Sequence, residues 1–272
     1  MKKLLALSVM LVFLLCHAAI GSAADNLEGM VDSALELSGF NRVVDNLPQI
    51  MDAQKSWRQT TKPATEQSDR VGELLNDSFD QKAARKISRD FFLKKVDEET
   101  MKDVMAWLNS PLGQRFSAAE SDEVGAGRQA AMLRYLAELQ ETPPPSERVA
   151  LMQRLEEVTR SSELVTGILM NIFTNTLKNV PVKDGEEESA LDELENLMPA
   201  IREQIRQQTI LASLYTYREF TDEELEKYIA FYDSASGSRY NDAGAAAIGA
   251  VMEQMFATFT RKLTEELEKG KK

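Results

Sequence analysis

Displaced by 124 positions, the chain falls on itself. The stretch Asp97–Phe116, DEETMKDVMAWLNSPLGQRF, meets Thr221–Tyr240, TDEELEKYIAFYDSASGSRY, without a gap. Glu99, Ala106, Ser110, Gly113 and Arg115 meet Glu223, Ala230, Ser234, Gly237 and Arg239, while Met105, Trp107 and Phe116 meet Ile229, Phe231 and Tyr240. Farther on, Gly125-Ala126 meets Gly249-Ala250, and upstream Leu27, Val31, Ala34 and Phe40 lie on Leu151, Leu155, Val158 and Leu164. Identity at Ser, Gly and Arg with apolar matches between is hard to reach by chance, so the chain reads as one unit written twice.

The start of the chain reads as a secretory signal peptide, residues 1–24. Lys2 and Lys3 precede the apolar stretch Leu4 to Leu15, and Gly21-Ser22-Ala23-Ala24 supplies small residues for a cut before Asp25. Leu15 before Cys16 is the wrong neighbour for a lipidated cysteine. From Asp25 to Lys272 there are 248 residues, which two units tile as 25–148 and 149–272, with Pro143-Pro144-Pro145 near the joint. No other apolar run is long enough to span a bilayer, so no transmembrane segment is expected after cleavage.

Within each unit apolar residues recur three and four positions apart, and no alternating β-branched run argues for a strand. The expected fold class is all-α, two tandem units of about five helices each, packed as an array or bundle. The spacing predicts helices over 27–37, 40–58 with Pro48 as a break, and 69–93, with loops at 60–68 and 183–189. Asp97 and Thr221 are set to cap a short fourth helix, Thr221-Asp-Glu-Glu224 forming a capping box. A long last helix is predicted to start at Ser110 and run to about 139, and at Ser234 to run to about 268.

The sole cysteine and histidine, Cys16 and His17, both fall in the expected leader. What remains has no disulfide, no Ser-His-Asp triad, no thiol nucleophile and no ordinary zinc or copper(II) site. Carboxylate pairs, Ser-Lys dyads and all-oxygen metal sites stay open chemically, yet no residue pattern marks one. Glu98-Glu99, Glu156-Glu157 and Glu186–Glu188 are adjacent, and adjacent residues on a helix do not face each other. The pairs Met101/Met105 and Met252/Met255 sit at core spacing, and no cofactor or metal is expected. A net charge of −12, or −14 without Lys2 and Lys3, argues against nucleic acid and against docking on anionic lipid.

The shared cluster is aromatic-x-[ND]-S-x-x-G-x-R-[FY]. Ser110 and Ser234 are placed to cap the last helix, and Gly113 and Gly237 to admit close backbone approach. Arg115 and Arg239 are placed to cover apolar surface and pair with an acid on a neighbouring helix. Trp107/Phe231 and Phe116/Tyr240 are the expected anchors of this corner. A helix start with Ser, Gly and Arg also fits an anion pocket, and both readings stand at this level. The run Gly244–Gly249 is expected to be a close helix–helix contact.

Phe220-Thr221-Asp-Glu-Glu224 through Phe231-Tyr232-Asp-Ser234-x-x-Gly237-x-Arg239 resembles the signature of the domain of unknown function 2059 family, whose members are exported bacterial proteins. Pro111 is present in the first copy where the second has Ala235, and both copies carry Arg where the family often has Lys. The resemblance implies an all-α fold and the periplasm, and no activity. The functional expectation is a non-enzymatic module that binds another periplasmic or envelope protein. A carrier of an apolar or lipid-like molecule is the alternative, and a carboxylate or Ser-Lys hydrolase a remote one.

Overall fold

The computed structural model describes residues 27–49, 66–121, 126–179 and 186–269, and among them there is no strand. The expected leader, the part of the second predicted helix from residue 50 to 58, and most of the first expected loop lie outside these residues. The chain runs through α1 (Leu27–Leu37), α2 (Phe40–Asp45), α3 (Glu66–Asn76), α4 (Gln81–Lys95), α5 (Glu98–Leu108) and α6 (Pro111–Ser121). It continues through α7 (Ala126–Glu141), α8 (Ser146–Thr159), α9 (Ser161–Asn179), α10 (Glu186–Thr216), α11 (Asp222–Asp233) and α12 (Ala235–Lys269).

Local chemistry explains most boundaries. The α1–α2 corner turns at Gly39, whose φ of 74° is cheap only for glycine. Asp97 caps α5 by accepting from the Thr100 N–H at 2.8 Å. Thr221 and Glu224 exchange both bonds of a capping box at the head of α11.

Several boundaries differ from the sequence prediction: the second helix, expected over 40–58, already ends at Asp45 ahead of Pro48, and α3 begins at Glu66 inside the loop expected over 60–68. The third helix, expected over 69–93, is two helices, because Asp80 caps a fresh start by accepting from the Ala83 N–H. The loop expected at 183–189 gives way at Glu186, where α10 begins and runs through Pro199 to Thr216.

Three apolar clusters form the core. The first joins Val31, Ala34 and Leu35 of α1 with Phe92, Val96, Met101, Val104 and Leu108, and it closes with Tyr240, Ala243 and Ala247 of α12. The second joins Leu151, Met152 and Leu155 of α8 with Ile210, Leu214, Phe220, Leu225, Tyr228 and Ile229, and it closes with Phe116 of α6. The third places Val251, Met252, Met255 and Phe256 of α12 on Val44, Leu47 and Ala84. Met101, Met252 and Met255 are thus core residues, and no group of metal-binding side chains occurs among the described residues. No helix among them is long and apolar enough to cross a membrane.

The helix that follows each Ser-Gly-Arg corner therefore packs into the opposite half. Phe116 follows Arg115 in the first half and lies stacked between Phe220 and Tyr228 of the second, centroids 4.1 and 3.9 Å away. Its counterpart Tyr240 lies 5.0 Å from Phe92 of the first half, with its hydroxyl 2.9 Å from Ser38 Oγ. Burying rings of this size contributes about 1.5–3 kcal/mol each. Along α12, Gly244 faces the Phe40 and Phe92 rings, where a Cβ would sit 3.2 Å from Phe40. Small residues thus seat α12 against the first half, the helix contact expected of this run.

Candidate functional site

The two Ser-Gly-Arg corners are built alike. Ser110 Oγ accepts from the Gly113 N–H at 3.0 Å and donates to the Trp107 carbonyl at 2.7 Å. Ser234 Oγ accepts from the Gly237 N–H at 3.0 Å and donates to the Phe231 carbonyl at 2.6 Å. Each hydroxyl thus ties the end of one helix to the start of the next. Gly113 and Gly237 are held against that preceding turn. A Cβ at either would lie 2.9 or 2.7 Å from the carbonyl carbon of Trp107 or Phe231, and nearer still to its oxygen.

The arginines reach across rather than within a half. Arg115 pairs with Glu224 in the capping box of α11, and its guanidinium lies 4.8 Å over the Phe220 ring. Arg239 pairs with Asp97, the cap of α5, and contacts Thr100 Oγ1 at 3.2 Å. Positions 97/221 and 100/224 are themselves 124 apart, so the exchange is reciprocal. Between the corners, Trp107 and Phe231 stack on each other at 4.9 Å and 11°.

Electrostatics follow from these bonds. Asp97 is held below its usual pKa by the Thr100 side chain and N–H, then by Arg239. Glu224 is lowered by the Thr221 N–H, then by Arg115. All six corner residues are therefore brought into two helix junctions. Each serine serves its own helix start, and each arginine faces a carboxylate.

A wider opening lies elsewhere, where the end of α8, the start of α9 and the middle of α10 meet. It is a groove of about 730 Å³ in the second half. Arg160, Arg202, Glu163 and Glu203 stand on its walls, with Gly167, Met170 and Pro199 as its less polar surface. At its side the buried Glu156 carboxylate takes the Ser162 N–H and hydroxyl and the Arg206 Nε at 3.1 Å. That pairing offsets the cost of burying the charge. Arg160 turns the chain between α8 and α9 with a φ of 52°. No sequence motif marks this groove, since its residues come from three helices at irregular spacing.

Residues 82–142 match the model of a family described as an uncharacterized protein conserved in bacteria. Comparison with curated proteins gives no match, and neither does comparison with solved structures.

Proposed function

We propose that the chain, whose residues 82–142 match the model of the bacterial DUF2059 family, is an exported, non-enzymatic protein-binding module built from two copies of one helical unit. The groove between α8, α9 and α10 carries this reading. Its walls bear both charge signs beside apolar and glycine surface, the mixture that a segment of polypeptide presents in return. An opening of that size lies in the range of sites that enclose a drug-sized or several-residue ligand. The α8 and α10 walls are tied by the pairs of Arg206 with Glu156 and Glu157, which favours a preformed surface. Export rests on the apolar leader, and the two-copy reading rests on the 124-residue self-match together with the paired corner contacts.

Photocrosslinking in the native compartment tests this. A photoreactive residue at Glu163, on the groove wall, should give a discrete protein adduct, whereas one at the exposed Glu98 of α5 should not. A Cβ at Gly167 meets nothing within 4 Å, so Gly167→Trp fills the groove without disturbing the helix. That substitution should abolish the Glu163 adduct at unchanged protein level. An adduct insensitive to Gly167→Trp, or the same adducts from Glu98, overturns the assignment.

A further inference from the structure

The third apolar cluster shows what closes the first half. There the far stretch of α12 buries Val251, Met252, Met255 and Phe256, and Leu75 and Phe79 pack against them. The four α12 residues share one face of that helix. One turn and more beyond them, Lys262 Nζ donates to the Asp77 carbonyl at 2.5 Å, and Arg70 pairs with Glu266. In the first half α12 is therefore a helix seated in a slot, laid along α3.

The second half lacks this closure. Its counterpart of the far stretch of α12 is α7, and 124 positions before Val251, Met252 and Met255 the chain has Gly127, Arg128 and Ala131. α7 also takes another course. Phe259 packs on the third cluster, whereas its counterpart Tyr135 lies 5.6 Å from Tyr215, towards the far end of α10. The counterparts of Leu75 and Phe79 are Pro199 and Glu203. Both are exposed, and both stand on the wall of the groove. At these two positions the groove lies open where the first half is covered by α12.

Charge singles out one more position. Arg160 of the groove pairs with Asp242, and Arg206 with Glu156 and Glu157. The Arg202 side chain has no ion pair or hydrogen bond among the described residues. It corresponds to Ser78, next to the Asp77 carbonyl at which Lys262 arrives.

We propose that the groove receives an amphipathic helix of its partner, laid along α10 as α12 is laid along α3, with apolar side chains over Gly167, Met170 and Pro199 and a carboxylate on Arg202. This rests on reading the groove as a protein-binding site in one of two copies, and adds the shape and chemistry of the bound segment. Helices dock in grooves through side chains at i, i+3, i+4 and i+7. Gly167 leaves room for one of them, since nothing lies within 4 Å of where its Cβ would be. Pro199 and Glu203 in place of Leu75 and Phe79 keep the empty slot soluble, so the guest can come and go.

Fluorescence polarisation of the full chain with labelled peptides of α12, residues 246–263, tests this. The segment brings the apolar anchors, and Lys262→Glu in the peptide places a carboxylate beside Arg202. That peptide should bind saturably at one site, about threefold more tightly than the unchanged one, the worth of an exposed ion pair. Gln254→Pro with Ala257→Pro in the peptide keeps the anchors, breaks the helix and should weaken binding at least about tenfold. In the full chain, Arg202→Glu should reverse the preference between the first two peptides. Gly167→Trp should abolish binding of both, with circular dichroism and the urea midpoint reporting that each variant stays folded. Equal binding of the proline peptide would assign an extended segment instead. Binding that survives Gly167→Trp, a preference unmoved by Arg202→Glu, or no peptide binding would overturn the helix assignment. In each of these cases a Glu163 adduct sensitive to Gly167→Trp leaves the groove a protein site, whereas absence of that adduct removes the reading beneath it.

Discussion

At Gly113 and Gly237 a single hydrogen in place of a methyl group lets the helix start lie against the carbonyl of the preceding turn. Because the nearest atoms there are backbone, no side chain can swing aside. Gly113→Ala and Gly237→Ala should each cost about 1–3 kcal/mol, the range of overpacked sites, read as a fall in the urea midpoint. Gly167→Ala is the contrasting change, with open space around its Cβ and helical backbone. It should be neutral or stabilise by up to about 1 kcal/mol. Tyrosines make a second residue-level case. Burial pushes the hydroxyls of Tyr228, Tyr232 and Tyr240 above their usual pKa of 10.0, with the Glu120 charge adding to the first two. A raised folded pKa means the folded state keeps its proton longer. Their contribution is fully present below pH 10 and is lost as pH rises beyond it. Tyrosinate absorbance of three of the six tyrosines should therefore appear only together with loss of helical signal.

Among the elements, α5 and α11 show how one helix start serves two purposes. Their caps satisfy N–H groups locally, and the same carboxylates receive an arginine from the other half. Thr221→Ala should cost about 1 kcal/mol in thermal or urea unfolding, a usual value for a lost cap. The acid side follows from Asp97 and Glu224, both lowered from ordinary values of 3.8 and 4.5. Lowered folded values mean that their contribution is present above the ordinary values and is lost as pH falls through the folded ones. The gap in urea midpoint between the native chain and Asp97→Asn/Glu224→Gln should be constant from about pH 8 to 6 and close below about pH 4. A gap that persists at acid pH would show that the substitutions act through something other than these charges. High salt should narrow the gap at neutral pH, because both arginines are about half exposed.

On the scale of the whole molecule, the exchange of last helices makes each half incomplete. The first cluster lacks Tyr240, Ala243 and Ala247 without α12, and the second lacks Phe116 without α6. Severing the chain at Pro144, in the linker between α7 and α8, should give two fragments that are each poorly folded alone and recover helical signal when mixed. Equimolar mixing followed by circular dichroism and size-exclusion chromatography checks this. Two fragments that fold separately, without associating, would contradict the exchange.

The all-α class, the α1, α5 and α11 boundaries and the capping box follow from residue order alone, because helix periodicity and caps act over three or four positions. The break at Asp80 was open to the same reasoning, since an Asp before Gln81 is a ready cap, but continuous apolar spacing through 69–93 concealed it. Exchange of the last helices had no such signal. Ser110, Gly113 and Arg115 are equally suited to folding back on their own half or crossing to the other, and the choice depends on which apolar surface Phe116 and Tyr240 meet. The groove is likewise a tertiary fact. Glu157, Gly167 and Arg202 stand on three different helices, and only helix packing brings them to one space. Residue order determined that the Ser-Gly-Arg motif would occur twice and would start a helix each time. Tertiary packing decided that each copy braces the other, because a ring buried across the halves and an arginine on the opposite cap satisfy both at once.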